Sequence, residues 1–168
     1  MYSFEFNTIA DLKENQDLKL GFFLCIWHAN KIPPHIGVLI DGFYYSLKVK
    51  GKDTKIPVQE IIKLINRKSI CTVFVEINLP INQQFVEDVF SNYDFAVESK
   101  STCLTPITEI FNLVESISQL SDLLKHFNEK NQIGQVFGLN LTSDFKGILS
   151  YGKEEIEARL KQLSKTLN

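Results

Sequence analysis

The chain has 168 residues, of which 44% are hydrophobic and 23% are charged, and these proportions are typical of one globular domain with a single core. Eighteen Lys and Arg residues against 20 Asp and Glu residues give a formal charge of −2. Neither sign gathers into a block, which argues against a nucleic acid or an anionic membrane as partner.

The longest apolar run, residues 20–27, is far shorter than the roughly 20 residues that cross a bilayer, so we expect no transmembrane helix. The first residues carry no basic start and no small-residue cleavage site, so we expect a cytoplasmic protein. The three cysteines, Cys25, Cys71 and Cys103, are an odd number and match no zinc-binding spacing. We therefore expect free thiols, with no metal and no cofactor.

The first third of the chain is rich in strand signals. Residues 2–6 alternate as an edge strand does, and the apolar run 20–27 has the length of a buried strand. Pro33 and Pro34 end the secondary-structure element that precedes them. Two strand-forming runs, residues 36–40 and 43–49, are separated by Asp41-Gly42, a pair that favours a tight hairpin because both positions tolerate positive φ.

Helical signals dominate the remainder of the chain. The apolar spacing predicts helices over residues 58–66, 85–90, 107–127 and about 153–167, and strands over residues 71–79 and 135–141. We find no repeat and no linker, so residues 1–168 form one domain in this interpretation. The mixture predicts an α+β fold in which a mainly antiparallel sheet packs against helices.

The hairpin register brings polar side chains to one face of the sheet. A two-residue loop at Asp41-Gly42 pairs Gly37 with Ser46 and His35 with Lys48. Because Gly37 has no side chain, it leaves a gap beside His35, where an imidazole could adjoin a pocket. One face then carries His35, Gly37, Leu39, Tyr44, Ser46 and Lys48.

Cys103 lies just before the predicted long helix, and two caps are compatible with the sequence around it. Either Thr105 is the N-cap with Pro106 at the first helical position, or Thr102 is the N-cap with Cys103 inside the first turn. In both cases the sulfur lies near a helix N-terminus, where backbone amides lower a thiol pKa. A nearby imidazole would lower it further, as in a nucleophilic cysteine.

A plainer interpretation exists for the same residues. A free cysteine is most often a small buried apolar side chain, and a lone histidine is more often structural than catalytic. The aromatic residues around the hairpin suit the core or the partner surface of a non-catalytic binding domain equally well.

Two motifs carry a resemblance to a known family. The first is residues 34–46, in which a His-x-Gly strand at His35 and Gly37 is followed by the Asp41-Gly42 turn. The second is Tyr93-Asp94-Phe95, which begins ten residues ahead of Cys103. In this order of features, residues 34 to 115 resemble the circularly permuted members of the papain-like, NlpC-type cysteine peptidase superfamily.

The resemblance implies a circularly permuted papain-like fold and a thiol hydrolase that acts on a small peptide or amide, with a cell-wall-type peptide as one candidate substrate. Cys103 would be the nucleophile and His35 the general base, while Ser46 would orient the imidazole unless that position stays vacant. Tyr93, Gly37 and Lys48 would line the substrate cleft. Thioester acyl transfer is the same chemistry on related folds, and a binding domain built on a hydrolase-like fold is the alternative. The sequence leaves the oligomeric state open.

Overall fold

A computed structural model describes residues 1–13 and 15–166, apart from the side chains of Asn15 and Gln16. The predicted end of the last helix, Leu167, lies outside the described residues. The strands of the described part are β1 (Tyr2–Glu5), β2 (Ala10–Asp11), β3 (Phe22–Trp27), β4 (His35–Ile40), β5 (Phe43–Lys48), β6 (Gly51–Pro57), β7 (Thr72–Ile77), β8 (Ile133–Leu139) and β9 (Gly147–Leu149). Its helices are α1 (Val58–Arg67), α2 (Gln83–Ser91), α3 (Thr105–Ile110), α4 (Leu120–Glu129) and α5 (Lys153–Lys165), with a short 3-10 helix at Asn15–Leu18.

Seven of the strands form one mixed sheet in the order β2-β8-β7-β3-β4-β5-β6. Its neighbours are antiparallel, apart from β2, which runs parallel to β8. The remaining strands, β1 and β9, pair with each other in a separate antiparallel ribbon. The expectation of an α+β fold with a mainly antiparallel sheet is therefore confirmed.

Helices cover both faces of the large sheet. Strand β3 is buried along its whole length because it lies between β4 and β7 with packed side chains on either side. One face carries the apolar side of α1, and the other carries apolar residues of α2, α3 and α4. The apolar run 20–27 is thus the central strand of a sheet between two helical layers, which explains why it shows no alternation.

The predicted hairpin between β4 and β5 is present. Asp41 and Gly42 have φ values of 47° and 83°, the left-handed conformations that a tight turn needs. The ladder pairs Ile40 with Phe43, Leu39 with Tyr44 and Val38 with Tyr45, as the register requires.

The described ladder ends at Val38–Tyr45, so the expected pairs of Gly37 with Ser46 and of His35 with Lys48 are not part of it. The reason lies in the next strand. From Ser46 onwards β5 follows β6, and the register between these two strands shifts between Tyr44 and Ser46. A bulge of this kind bends a strand away from its other neighbour.

The helix predicted over residues 107–127 is wrong as a single element. Helix α3 ends at Ile110, and Asn112 follows with a φ of 56°, a conformation that a continuing helix does not allow. The apolar stripe continues only because α3 and α4 bury their apolar residues against the same cluster. The apolar residues of the two helices continue the same spacing in the sequence, which is why the pattern predicted one long helix.

Three strands were not predicted, and β6 is the one that matters for the site. Its sequence, Gly-Lys-Asp-Thr-Lys-Ile-Pro, is mostly polar because it is an edge strand that pairs only with β5. In the part of the chain that the structure describes, no helix is long and apolar enough to cross a membrane.

Candidate functional site

A cavity of about 640 Å³ lies at one end of the large sheet. Its walls include the end of β3 at Trp27, the start of β4 at His35 and the end of β5 at Lys48. Because these neighbouring strands are antiparallel, the three residues lie at the same end of the sheet. Cys103 and one side of α5 complete the lining. The two residues that the sequence nominated as nucleophile and base therefore border one cavity.

Cys103 is held in a turn whose hydrogen bonds match a capping box. The Leu104 amide donates to Thr102 Oγ1 at 3.2 Å, and the Thr102 amide donates to Thr105 Oγ1 at 2.8 Å. Helix α3 itself begins at Thr105, so these reciprocal bonds belong to the turn before it and hold Cys103 in that turn. Neither of the two caps compatible with the sequence is therefore the observed N-cap, which is Leu104 and makes no side-chain capping bond.

The thiol is not activated in the way we expected from the sequence. Burial raises the pKa of Cys103, although backbone hydrogen bonding at Ile36, at Cys103 itself and at Leu104 lowers it. A thiolate can only accept hydrogen bonds, so the groups that stabilise it are the amide N–H donors. Removal from water outweighs the amides, and the pKa stays above the ordinary value for cysteine.

His35 is the first residue of β4, and it lies directly opposite Trp27 of β3. Burial lowers the pKa of His35 to about 4, while the charge of Asp53 raises it and the charges of Lys48 and His28 lower it. Its Nε2 atom is buried and has no hydrogen-bond partner among the described residues. At neutral pH the imidazole is therefore uncharged, and no thiolate–imidazolium pair exists at rest.

The thiol and the imidazole approach the cavity from opposite faces of the sheet. Residues directly opposite in a ladder point to the same face, so His35 shares the face of Trp27, which belongs to the cluster around α1. Cys103 packs instead against the cluster that includes Ile36 and Leu47 on the other face. Both nevertheless border the cavity, because His35 stands at the very start of its strand, where the cavity opens.

The gap that we expected at Gly37 is filled. A Cβ atom on residue 37 would lie 2.4 Å from the hydroxyl oxygen of Tyr44, so the phenol ring lies directly on the glycine backbone. Tyr44 is itself buried, and its ring centroid is 5.7 Å from that of Trp27. Gly37 is not a lining residue of the cavity, and its role is to make room for Tyr44.

Ser46 does not orient the imidazole, which corrects the role given to it. Its hydroxyl donates to Asp53 Oδ2 at 2.8 Å, and Lys48 Nζ donates to the other oxygen of the same carboxylate at 2.7 Å. The single hydroxyl proton of Ser46 is thus used on Asp53, and the buried Nε2 of His35 stays without a partner. Lys48 does line the cavity, as predicted.

Tyr93 lies away from this site. Its hydroxyl donates to Glu109 Oε2 of α3, and the residue is not part of the cavity lining. Burial, followed by the Glu109 carboxylate, raises the pKa of Tyr93 to about 12. Tyr93 therefore fastens the segment before Cys103 to α3 rather than lining the cleft.

Sequence reasoning missed several residues at the site. Asp53 was missed because β6 was not predicted, although the Lys50-Gly51 pair after a strand is a turn signal that could have revealed a second hairpin. His28 and Arg159 both line the cavity, yet they come from a loop and from the last helix. Only the tertiary packing brings these segments together.

The three cysteines are free, and only Cys103 is partly accessible, since Cys25 and Cys71 are buried.

A scan against protein-family models and searches of curated proteins and of solved structures found no match for this chain.

Proposed function

We propose that this chain is a thiol hydrolase of amide bonds built on a circularly permuted papain-like fold, with Cys103 as nucleophile and His35 as general base. One observation carries the proposal. Cys103 and His35 line the same cavity, and the backbone of Ile36, the residue next to His35, is among the groups that lower the pKa of the Cys103 thiol. The order of a His-bearing strand, a hairpin, a helix, a strand and then the cysteine supports the permuted arrangement.

The reaction would start from a neutral pair. As Cys103 Sγ forms a bond to the carbonyl carbon of the amide, its proton passes to His35. The imidazolium then gives that proton to the leaving nitrogen, the C–N bond breaks, and an acyl thioester remains on Cys103. Water, deprotonated by His35, attacks the thioester and releases the acid, which restores the thiol.

Two groups would stabilise the charges that develop. The carboxylate of Asp53 already raises the pKa of His35, so it would favour the imidazolium during the proton transfer. The amide of Cys103 contributes to the hydrogen bonding around the sulfur and would support the oxyanion. Thioester acyl transfer would use the same thioester and replace water by another acceptor.

A non-catalytic binding domain is the second candidate, and two observations favour it. Burial raises the pKa of the Cys103 thiol and lowers that of His35 to about 4, the opposite of what activation requires. The Nε2 atom of His35 is also without an orienting partner among the described residues.

The experiment that separates the two candidates looks for the acyl-enzyme. The protein is incubated with γ-glutamyl, muropeptide, long-chain acyl p-nitroanilide and thioester substrates, and the intact mass is followed together with product release. A hydrolase gains one acyl group on the peptide that contains Cys103, and Cys103→Ala abolishes both the adduct and the turnover. Cys71→Ala is the matched control, because Cys71 is buried outside the cavity and should leave the adduct in place.

A different pattern would overturn the proposal. If no substrate gives an adduct or product, while a ligand from the panel still raises the melting temperature of the Cys103→Ala protein, the chain is a binding domain.

A further inference from the structure

The lining of the cavity has an unbalanced charge. Lys31, Lys48, Lys50 and Arg159 border it, and no Asp or Glu is found among its lining residues in the described part of the chain. The protein as a whole carries a formal charge of −2, so a lining with four cationic residues and no acidic residue differs from the charge balance of the whole chain. The cavity therefore concentrates positive charge at one place on an acidic protein.

Most of this charge is not neutralised by the protein. Lys48 is bound by Asp53 at 2.7 Å, whereas Lys31, Lys50 and Arg159 form no salt bridge among the described residues. The effect on His28 shows that the charge reaches the cavity wall. Burial lowers the pKa of His28, and the charges of Lys31, Arg159 and Lys68 lower it further.

The rest of the lining is largely apolar. Its apolar side chains come from the end of β3 with its loop, the middle strands, the segment before α5 and α5 itself, and they include Trp27, Ile36, Leu47, Tyr151, Ile156 and Leu160. Ile156 and Leu160 of α5 also pack against the core, although no residue of this helix is fully buried. The cavity thus offers an apolar interior bordered by exposed cations.

From this combination we propose that the ligand of the cavity is an amphipathic anion, namely an acyl chain joined through an amide to an amino acid that keeps its free carboxylate. The apolar walls would take the chain, and Lys31, Lys50 and Arg159 would attract the carboxylate. A muropeptide, which is polar along its whole length, would leave the apolar walls without a partner.

As a statement about a substrate this inference rests on the proposed hydrolase. Cys103 would attack the amide carbonyl, the C–N bond would break, and the amino acid would leave with the proton from His35. Water would then cleave the acyl thioester to give the fatty acid, so the reaction consumes one water and needs no oxidant or reductant. As a statement about a ligand the inference is independent of catalysis.

The protein reports binding through its own fluorescence, because Trp27 is its single tryptophan and lines the cavity. We would titrate the full chain carrying Cys103→Ser, which prevents turnover, with N-dodecanoylglycine. The comparison ligands are the neutral N-dodecanoylglycinamide, N-acetylglycine and dodecyltrimethylammonium. The acid should change the Trp27 emission and bind about fivefold more tightly than the amide, since one charge–charge contact at a surface is worth up to about that factor. N-acetylglycine should bind poorly because it lacks the chain.

Charge variants identify the residues responsible. Lys50→Gln and Arg159→Gln should each weaken the binding of N-dodecanoylglycine about two- to fivefold and leave the binding of the glycinamide unchanged. Lys63→Gln is the matched control, because Lys63 is an exposed lysine of α1 outside the cavity. Raising the salt concentration should reduce the preference for the acid.

The failure of this inference differs from the failure of the proposed function. Equal affinity for the acid and the amide, or tighter binding of the ammonium compound, would overturn the amphipathic anion while leaving the hydrolase untouched. Binding of the acid with neither an adduct nor released product on the wild-type protein would keep the ligand class and reject the hydrolase.

Discussion

The phenol end of Tyr44 packs against the backbone of Gly37, so a Cβ on residue 37 would collide with the Tyr44 ring and its hydroxyl oxygen. The ring is held there by burial and by contact with Trp27, whose ring centroid is 5.7 Å distant. This contact joins the middle of the β4–β5 hairpin to the strand residue that faces His35. The glycine of the His-x-Gly motif is therefore explained by packing inside the protein.

We expect Gly37→Ala to lower the free energy of unfolding by about 1 to 3 kcal/mol, because the added methyl group overpacks a rigid aromatic site. Denaturant unfolding measures this change. Gly152→Ala is the matched control, since its new methyl group would meet only the end of the Glu155 side chain at 3.3 Å. Equal losses in the two variants would contradict the packing role of Gly37.

The charges around His35 should act on its pKa in opposite directions. Asp53→Asn removes the negative charge that raises this pKa, and Lys48→Gln removes a positive charge that lowers it. We therefore expect the first variant to lower the pKa and the second to raise it, as followed by NMR titration of the His35 ring. Shifts of the same sign in both variants would show that Asp53 and Lys48 act by changing the structure and not by their charge.

The stability of the protein should fall as the pH decreases from about 6.5 to about 4. The folded pKa of His35 is about 4, below the ordinary value of 6.5, so in this window the unfolded chain binds a proton that the folded chain does not. The full effect is on the order of 3 kcal/mol, and it levels off below pH 4. Unfolding measured across this range should show a smaller slope for His35→Gln, and an unchanged slope would exclude His35 as the cause.

The Cys103 thiol should react slowly with iodoacetamide at pH 6.5 and faster above pH 9, because burial raises its pKa. It should still react before Cys25 and Cys71, which are buried. His35→Gln should leave the rate at pH 6.5 within about twofold, because a neutral imidazole does not stabilise a thiolate by charge. Fast labelling at pH 6.5 that depends on His35 would contradict the neutral resting pair.

Local signals in the sequence were sufficient to predict the elements whose structure depends on residues close to one another in the chain. The Asp41-Gly42 turn determined the hairpin because only a few residues tolerate positive φ at both positions. Local pattern also predicted β3 from its continuous apolar run and α1 from its helical apolar spacing. Charge balance and cysteine spacing also follow from the chain alone.

Tertiary structure decided everything that depends on residues distant in the chain. The polar edge strand β6 is a strand only because β5 pairs with it, and this pairing places Asp53 against Ser46 and thereby withdraws Ser46 from His35. The pKa of Cys103 depends on burial, which no local sequence pattern reports. Reasoning from the helix amides alone therefore predicted a lowered pKa, whereas burial raises it. The cationic cavity likewise exists only where α5 meets the end of the sheet, because Lys31 and Arg159 are far apart in sequence and share a site through packing alone.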